Sequence, residues 1–257
     1  MISALIIAYV LLTRYVIVPK IHDNISQETK KTPYSTYAKN NSNILKKLNQ
    51  DGWDKKAKDR FKYNYDINDN NLVSNLGGNK NNQDKSNNLD LTYDYSKVKS
   101  ASEFDWSTLK PNYDKRLLTG HISMPAISVN LPILEGVSNA NLYAGAGTLK
   151  PYQRMGQGNY ALASHFMPDH QSNFSKINQL QKGNMILLSN GKHVYKYKTI
   201  SVRRMPINSS SVVNDVKGKK LITLVTCTDI YGTARTVVQG KYLSLIHISE
   251  PTRPRLI

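Results

Sequence analysis

The chain has 257 residues, with 35 lysines and arginines against 18 aspartates and glutamates, a formal net charge of +17 and a single cysteine. One thiol excludes an internal disulfide framework, and no cysteine or histidine cluster has zinc-ligand spacing. The basic excess is spread along the chain, which suits an anionic envelope of lipid and wall polymer. No aromatic RNA-binding signature or isolated Arg/Lys stripe is present, so nucleic acid is not an expected partner.

Residues 2–18 are mostly apolar, broken by Ser3, Thr13 and Arg14 and followed by Pro19-Lys20. This length is at the short limit for a membrane span. Arg14 can snorkel to the interface and no small-residue cleavage site follows, so residues 1–20 are expected to be an uncleaved transmembrane anchor rather than a signal peptide. The basic residues follow the run instead of preceding it, which by charge bias alone would place the remainder inside. Met1 is accordingly expected to be an internal start.

Residues 21–115 are rich in Asn, Asp, Lys, Ser and Tyr, as in Gly77-Gly78-Asn79-Lys80-Asn81-Asn82. Such a stretch buries too little apolar surface to offset its ordering entropy, so a polar, largely disordered tether is expected. The spacing of Ile44, Leu45, Leu48, Trp53, Ala57 and Phe61 allows one loose helix at most.

Residues 116–243 read as short strands around one core. Ile122 and Met124 alternate, then Ile127, Val129, Leu131 and Ile133. Residues 185–188 and 193–202 flank Asn190-Gly191, the strongest hairpin signal in the chain. Residues 221–227 and 235–243 add two more strands. Several strands with little helix between them predict a mostly β fold, a small closed or nearly closed barrel. Residues 244–257 read like a translated sequencing adapter and are set aside as a non-native tail, His247 included.

Cys227 ends the run Leu221-Ile222-Thr223-Leu224-Val225-Thr226-Cys227, and Arg235 opens the next strand. A thiol and a guanidinium can therefore sit side by side on neighbouring strands. Upstream, His165 ends Tyr160-Ala161-Leu162-Ala163-Ser164-His165 and offers an imidazole to the sulfur. Cysteine, histidine and arginine are the parts of a thiol acyl-transfer site, in which imidazolium and guanidinium would favour the thiolate. The plain alternatives are a buried structural thiol, a core histidine and a strand-surface cation.

Thr-Leu-Val-Thr-Cys ending at Cys227, with a histidine after a small residue and a downstream arginine, resembles the sortases. Gly120-His121-Ile122-Ser123-Met124-Pro125, Ala144-Gly145-Ala146-Gly147-Thr148 and Met155-Gly156-Gln157-Gly158-Asn159-Tyr160 resemble class A, the housekeeping branch. Ser164 departs from the glycine common there.

The resemblance implies an eight-stranded barrel with a short helix in 172–180 and a catalytic domain on the extracellular side of the membrane. It implies a cysteine transpeptidase that cuts a Leu-Pro-x-Thr-Gly sorting signal of a surface protein between Thr and Gly. The acyl group then passes to a peptidoglycan-precursor amine. Catalysis would fall to His165, Cys227 and Arg235, with a substrate groove at Ala144, Ala163, Met205 and Val225 and a supporting hydroxyl at Thr226. Residues 139–152 hold no carboxylate, so no metal and no cofactor are expected. A thiol endopeptidase using water as acceptor and a non-catalytic, basic wall-binding module remain the alternatives.

Overall fold

The computed structural model describes residues 2–53, 56, 89, 91–103 and 113–248. Eight strands close into a barrel: β1 (Leu118–Met124), β2 (Val129–Leu134), β3 (Ala146–Thr148), β4 (Asn159–Ala163), β5 (Met185–Ser189), β6 (His193–Met205), β7 (Leu221–Cys227) and β8 (Arg235–His247). Around the barrel the order is β1-β2-β3-β4-β7-β8-β6-β5. The β2/β3 and β4/β7 pairs are parallel and the other pairs antiparallel.

Alternation decides which side chains face inward. Ile122, Met124, Leu131, Ile133, Leu162, Ile186, Leu188, Tyr197, Ile222, Leu224 and Val238 form one interior cluster, closed at one end by Phe174, Ile177 and Leu180. The strands therefore match the alternation expected from sequence. The β5–β6 hairpin closes one residue later than Asn190-Gly191 suggested: Asn190 N donates to His193 O at 3.3 Å. That leaves Gly191, at φ 84°, as the first central residue, the position where a type II′ turn requires glycine. The short helix implied within 172–180 is one 3₁₀ turn, Ile177–Gln179.

The polar segment departs from expectation. Its described first part is not a disordered tether but two helices on the barrel wall. The apolar helix α1 (Ile2–Leu12) runs through a π-helical turn, Thr13–Ile17, into α2 (Val18–Lys30), and α3 (Tyr34–Gln50) follows. In α2 the buried stripe is Val18, His22, Ile25, Ser26 and Thr29, at helical spacing but mostly polar. Two of its polar members meet the barrel: Ser26 Oγ donates to Asn130 O at 2.7 Å, and Thr29 Oγ1 lies 3.4 Å from His121 Nε2, while neither ring nitrogen of His22 has a hydrogen-bond partner among the described residues. In α3, Tyr37, Ile44 and Leu48 pack with Leu118, Leu134 and Tyr152. Asn40 Nδ2 donates to the carbonyls of Lys115 and Leu118, each at 2.9 Å. Trp53 meets Tyr93 edge-on at 4.9 Å between centroids; Ala57 and Phe61 lie outside the described residues.

The other end also differs. Residues 244–247, set aside as tail, continue β8 and pair with 193–196 of β6. Their side chains are largely exposed, Leu245 at 49% and Ile246 at 43%, so the pairing rests on backbone hydrogen bonds more than on packing. Among the described residues one helix, Ala4–Lys30, is long and apolar enough to cross a membrane by length and composition.

Candidate active site

Sheet register brings the three predicted residues into one row. Parallel pairing sets Ala163 level with Val225, and Ser164 N continues the ladder to Val225 O at 3.2 Å. His165 thus leaves β4 beside the point where Cys227 ends β7. On the other side Cys227 pairs directly with Arg235, the first residue of β8. His165, two residues past the end of β4, therefore stands at the same end of the barrel as Cys227 and Arg235, the paired ends of β7 and β8.

Arg235 Nη1 lies 3.5 Å from Cys227 Sγ and donates to Gly232 O at 3.0 Å and Ala234 O at 3.3 Å. The turn holding this geometry is organised by Asp229, which accepts from Tyr231 N at 2.9 Å and from Thr233 N at 3.3 Å. Gly232 sits in that turn at φ 73°, where a side chain would be strained. His165 is fixed by its neighbours. Phe174 N donates to its carbonyl at 3.2 Å, and Ser164 Oγ donates to Gly145 O at 2.5 Å. The departure from glycine at 164 thus ties the strand carrying the histidine to the start of β3.

Cys227 is 8% exposed and His165 3%. Burial pushes the Cys227 thiol up, against the opposing pull of Arg235. Burial also lowers His165 to about 4, helped by the nearby His22. Both shifts favour the uncharged forms, against the thiolate–imidazolium pair that the residue types alone suggested. Dehydration of both groups outweighs the favourable charge of Arg235.

The groove residues divide. Ala163, Met205 and Val225 belong to one cluster with Ala161, Val137, Leu142, Leu149 and Val237, on the outward side of the barrel strands next to Cys227. Ala144 does not join them; it packs with Leu134 and Tyr152 under the helical layer. Thr226 has the inward parity of Ile222 and Leu224, is 1% exposed, and its Oγ1 has no hydrogen-bond partner among the described residues. It lies behind the thiol rather than beside it.

The sequence reading missed what covers the groove. Residues 91–103 cross it as a strap, with Tyr95 and Val98 packed on the cluster of Ala163, Val225 and Met205. The Arg235 guanidinium lies 5.5 Å from the centre of the Tyr95 ring, within cation–π range. Burial, then the neighbouring Cys227, pushes the Tyr95 phenol up, opposed by Arg235. The strap is held at both ends: Val137 N donates to Thr92 O at 2.7 Å, Tyr93 Oη to Glu135 Oε1 at 2.6 Å, and Ser102 N to Ile230 O at 3.0 Å. A tyrosine in a polar stretch carries no sequence signal of such a contact.

A buried cysteine and histidine and a half-buried arginine at one end of a closed barrel are the parts from which a thiol acyltransferase site can be built. Residues 122–243 match the Sortase domain family model. The chain is 36% identical over 143 residues to sortase A of Listeria monocytogenes, covering 56% of this chain and 64% of that protein. It is 33% identical over 90 residues to the putative sortase YwpE of Bacillus subtilis, covering 35% of this chain and 87% of that protein. The crystal structure of Listeria monocytogenes sortase A superposes with a TM-score of 0.51 at 33% identity, covering 52% of this chain and 92% of that one. This chain belongs to the sortase family. It spans a little under two thirds of the length of the sortase A relative from Listeria.

Proposed function

We propose that the chain is a membrane-anchored cysteine transpeptidase of the class A type, with its anchor in 1–20, its catalytic domain in 116–243 and that domain on the extracellular side. It cleaves a Leu-Pro-x-Thr-Gly-type signal of surface proteins between Thr and Gly and passes the acyl group to a cell-wall precursor amine. The observation that carries this reading is the row of His165, Cys227 and Arg235 across β4, β7 and β8.

As Cys227 Sγ attacks the Thr carbonyl, His165 takes the thiol proton, so charge develops only with substrate in place. Arg235 stabilises the oxyanion of the tetrahedral intermediate. The imidazolium then protonates the leaving Gly amine, and a thioester remains on Cys227. An incoming amine, its proton removed by His165, attacks that thioester and restores the neutral pair. Ala163, Met205 and Val225 suit the small and apolar side chains of an extended signal, and Thr226 backs the thiol from the barrel interior.

Incubation of a sorting-signal peptide with the full chain, with and without an added amine, tests the reading by mass spectrometry. The expected result is a thioester on Cys227 and an amine-dependent transfer product. Cleavage with no transfer would favour the thiol endopeptidase, and a chain in which Cys227 forms no thioester would be a non-catalytic wall-binding module.

A further inference from the structure

The helix that emerges from the anchor does not release the catalytic domain. We infer that residues 166–171, the loop directly after His165, form a lipid-contacting surface that lies in the headgroup layer. The active-site histidine is thereby held beside the bilayer. This inference rests on the reading of residues 1–20 as a membrane anchor.

The boundary between lipid and protein is visible in exposure along one continuous helix. Leu5 is 71% exposed, Tyr15 53% and Ile17 41%, whereas Val18 is 4% exposed, His22 5% and Ile25 5%. An uncovered apolar strip of this kind marks an interaction surface, and it stops where docking on the barrel begins. At the same level stand the residues that mark a membrane interface. Tyr15 is exposed, the Arg14 guanidinium lies 5.4 Å from its ring centre, and Lys20 is exposed one turn later.

The loop is tied to that level by direct contacts. Arg14 Nε donates to Pro168 O, and Arg14 Nη2 lies 3.4 Å from His170 Nε2. Val18 packs with Met167 and Tyr143, and the His22 ring lies 4.8 Å from that of Tyr143. An arginine at the end of an apolar helix places its head among headgroups, so the carbonyl it holds is in the same layer. Pro168 is three residues from His165, a reach of at most about 11 Å.

The chemistry of the loop suits anionic lipid. Its one carboxylate, Asp169, is 3% exposed and turned inward, accepting from Gln171 N at 2.9 Å and Ser172 N at 3.0 Å and from Ser172 Oγ. His170 is exposed beside Arg14, and Gln171 and Lys20 are exposed as well; Asp23, an exposed carboxylate of α2, lines one cavity with Pro19, His22 and Gln171, on the side of the loop away from α1.

A depth measurement on the full chain decides the matter. In a Cys227→Ala background, a fluorophore on Gln171→Cys is compared with one on Lys217→Cys, which precedes β7 at the opposite end of the barrel, roughly 20 Å away along the strand. The protein is placed in vesicles of phosphatidylcholine and phosphatidylglycerol carrying a nitroxide on the headgroup. The expected result is quenching at Gln171 severalfold greater than at Lys217, with the order reversed for aqueous iodide. Equal quenching at the two positions, in protein that floats with the vesicles, overturns the inference and leaves the anchor intact. Failure to float overturns the anchor reading, and this inference with it.

Discussion

Acidification should loosen this fold through three buried histidines, and the size of the effect follows from their surroundings. Burial lowers His22, His121 and His165 each to about 4. In the unfolded chain they titrate at the ordinary value of 6.5. As pH falls through 6.5 the unfolded chain therefore takes up protons that the folded chain refuses, and stability drops until the folded values are reached. By about pH 5 each histidine contributes a loss of about 2 kcal/mol.

Glu135 acts in the opposite sense. Burial raises it to about 7, against the hydrogen bonds from Tyr93 and Thr148. The folded chain protonates it first, which adds back about 2 kcal/mol over the same window. The charged neighbours that face the histidines, Asp169 near His22 and Lys30 near His121, oppose each other in sign. The net expectation is a loss on the order of 4 kcal/mol between about pH 7.5 and about pH 5.

With a urea slope of about 2 kcal/mol per molar, the midpoint falls by about 2 M. The assay is urea unfolding of the full chain in detergent micelles, followed by tyrosine and tryptophan fluorescence at several pH values. Glu135→Gln removes the opposing group and should steepen the loss to about 6 kcal/mol. A midpoint that stays flat or rises on acidification would refute the reasoning, because it would mean that these imidazoles are solvated or already paired in the folded state.

Four further outcomes are expected. Arg235→Lys keeps the charge but loses the planar fork aimed at the sulfur, so acyl transfer should fall by about 10²-fold with an unchanged melting temperature; near-normal turnover would reduce Arg235 to a surface cation. His165→Ala should lower the rate by roughly 10²- to 10⁴-fold, measured on a sorting-signal peptide, and a loss below about tenfold would move the proton carrier elsewhere. Tyr95→Ala uncovers the row, so alkylation of Cys227 by iodoacetamide should speed up severalfold; an unchanged rate would mean that the strap does not shield the sulfur. Truncation from Ser244 removes an exposed stretch of strand and should lower the melting temperature by only a few degrees while leaving transfer intact.

The barrel was legible because its strands carry period-two alternation with the apolar set inward, as at Ile122/Met124 and Ile222/Leu224. The trio of His165, Cys227 and Arg235 was legible as residue types in order. Its arrangement was not, since the parallel β4/β7 pairing that levels His165 with Cys227 leaves no trace in either strand. Helix α2 escaped notice, and α3 was read only as one loose helix, because their buried stripes include His22, Ser26, Thr29 and Asn40, polar residues that advertise no apolar face. The contact of Tyr95 and the packing of Ala144 apart from the other three residues escaped for a related reason: which cluster a side chain joins is set by how distant segments cross. The directions of the pKa shifts were not legible because dehydration is a property of the assembled site, whereas charge type can be read from letters.

The parallel contact between β4 and β7 also has a kinetic meaning. Hairpins such as β5–β6 and β7–β8 join neighbours in the chain and can form early, but β4 must wait for β7, with two strands and their connections lying between them. Closing so long a loop is slow relative to local pairing. Until it closes, the lone sulfur has Arg235 within reach but no imidazole to accept its proton. A folding chain would thus carry its thiol apart from His165, and the row of three would be assembled only with barrel closure.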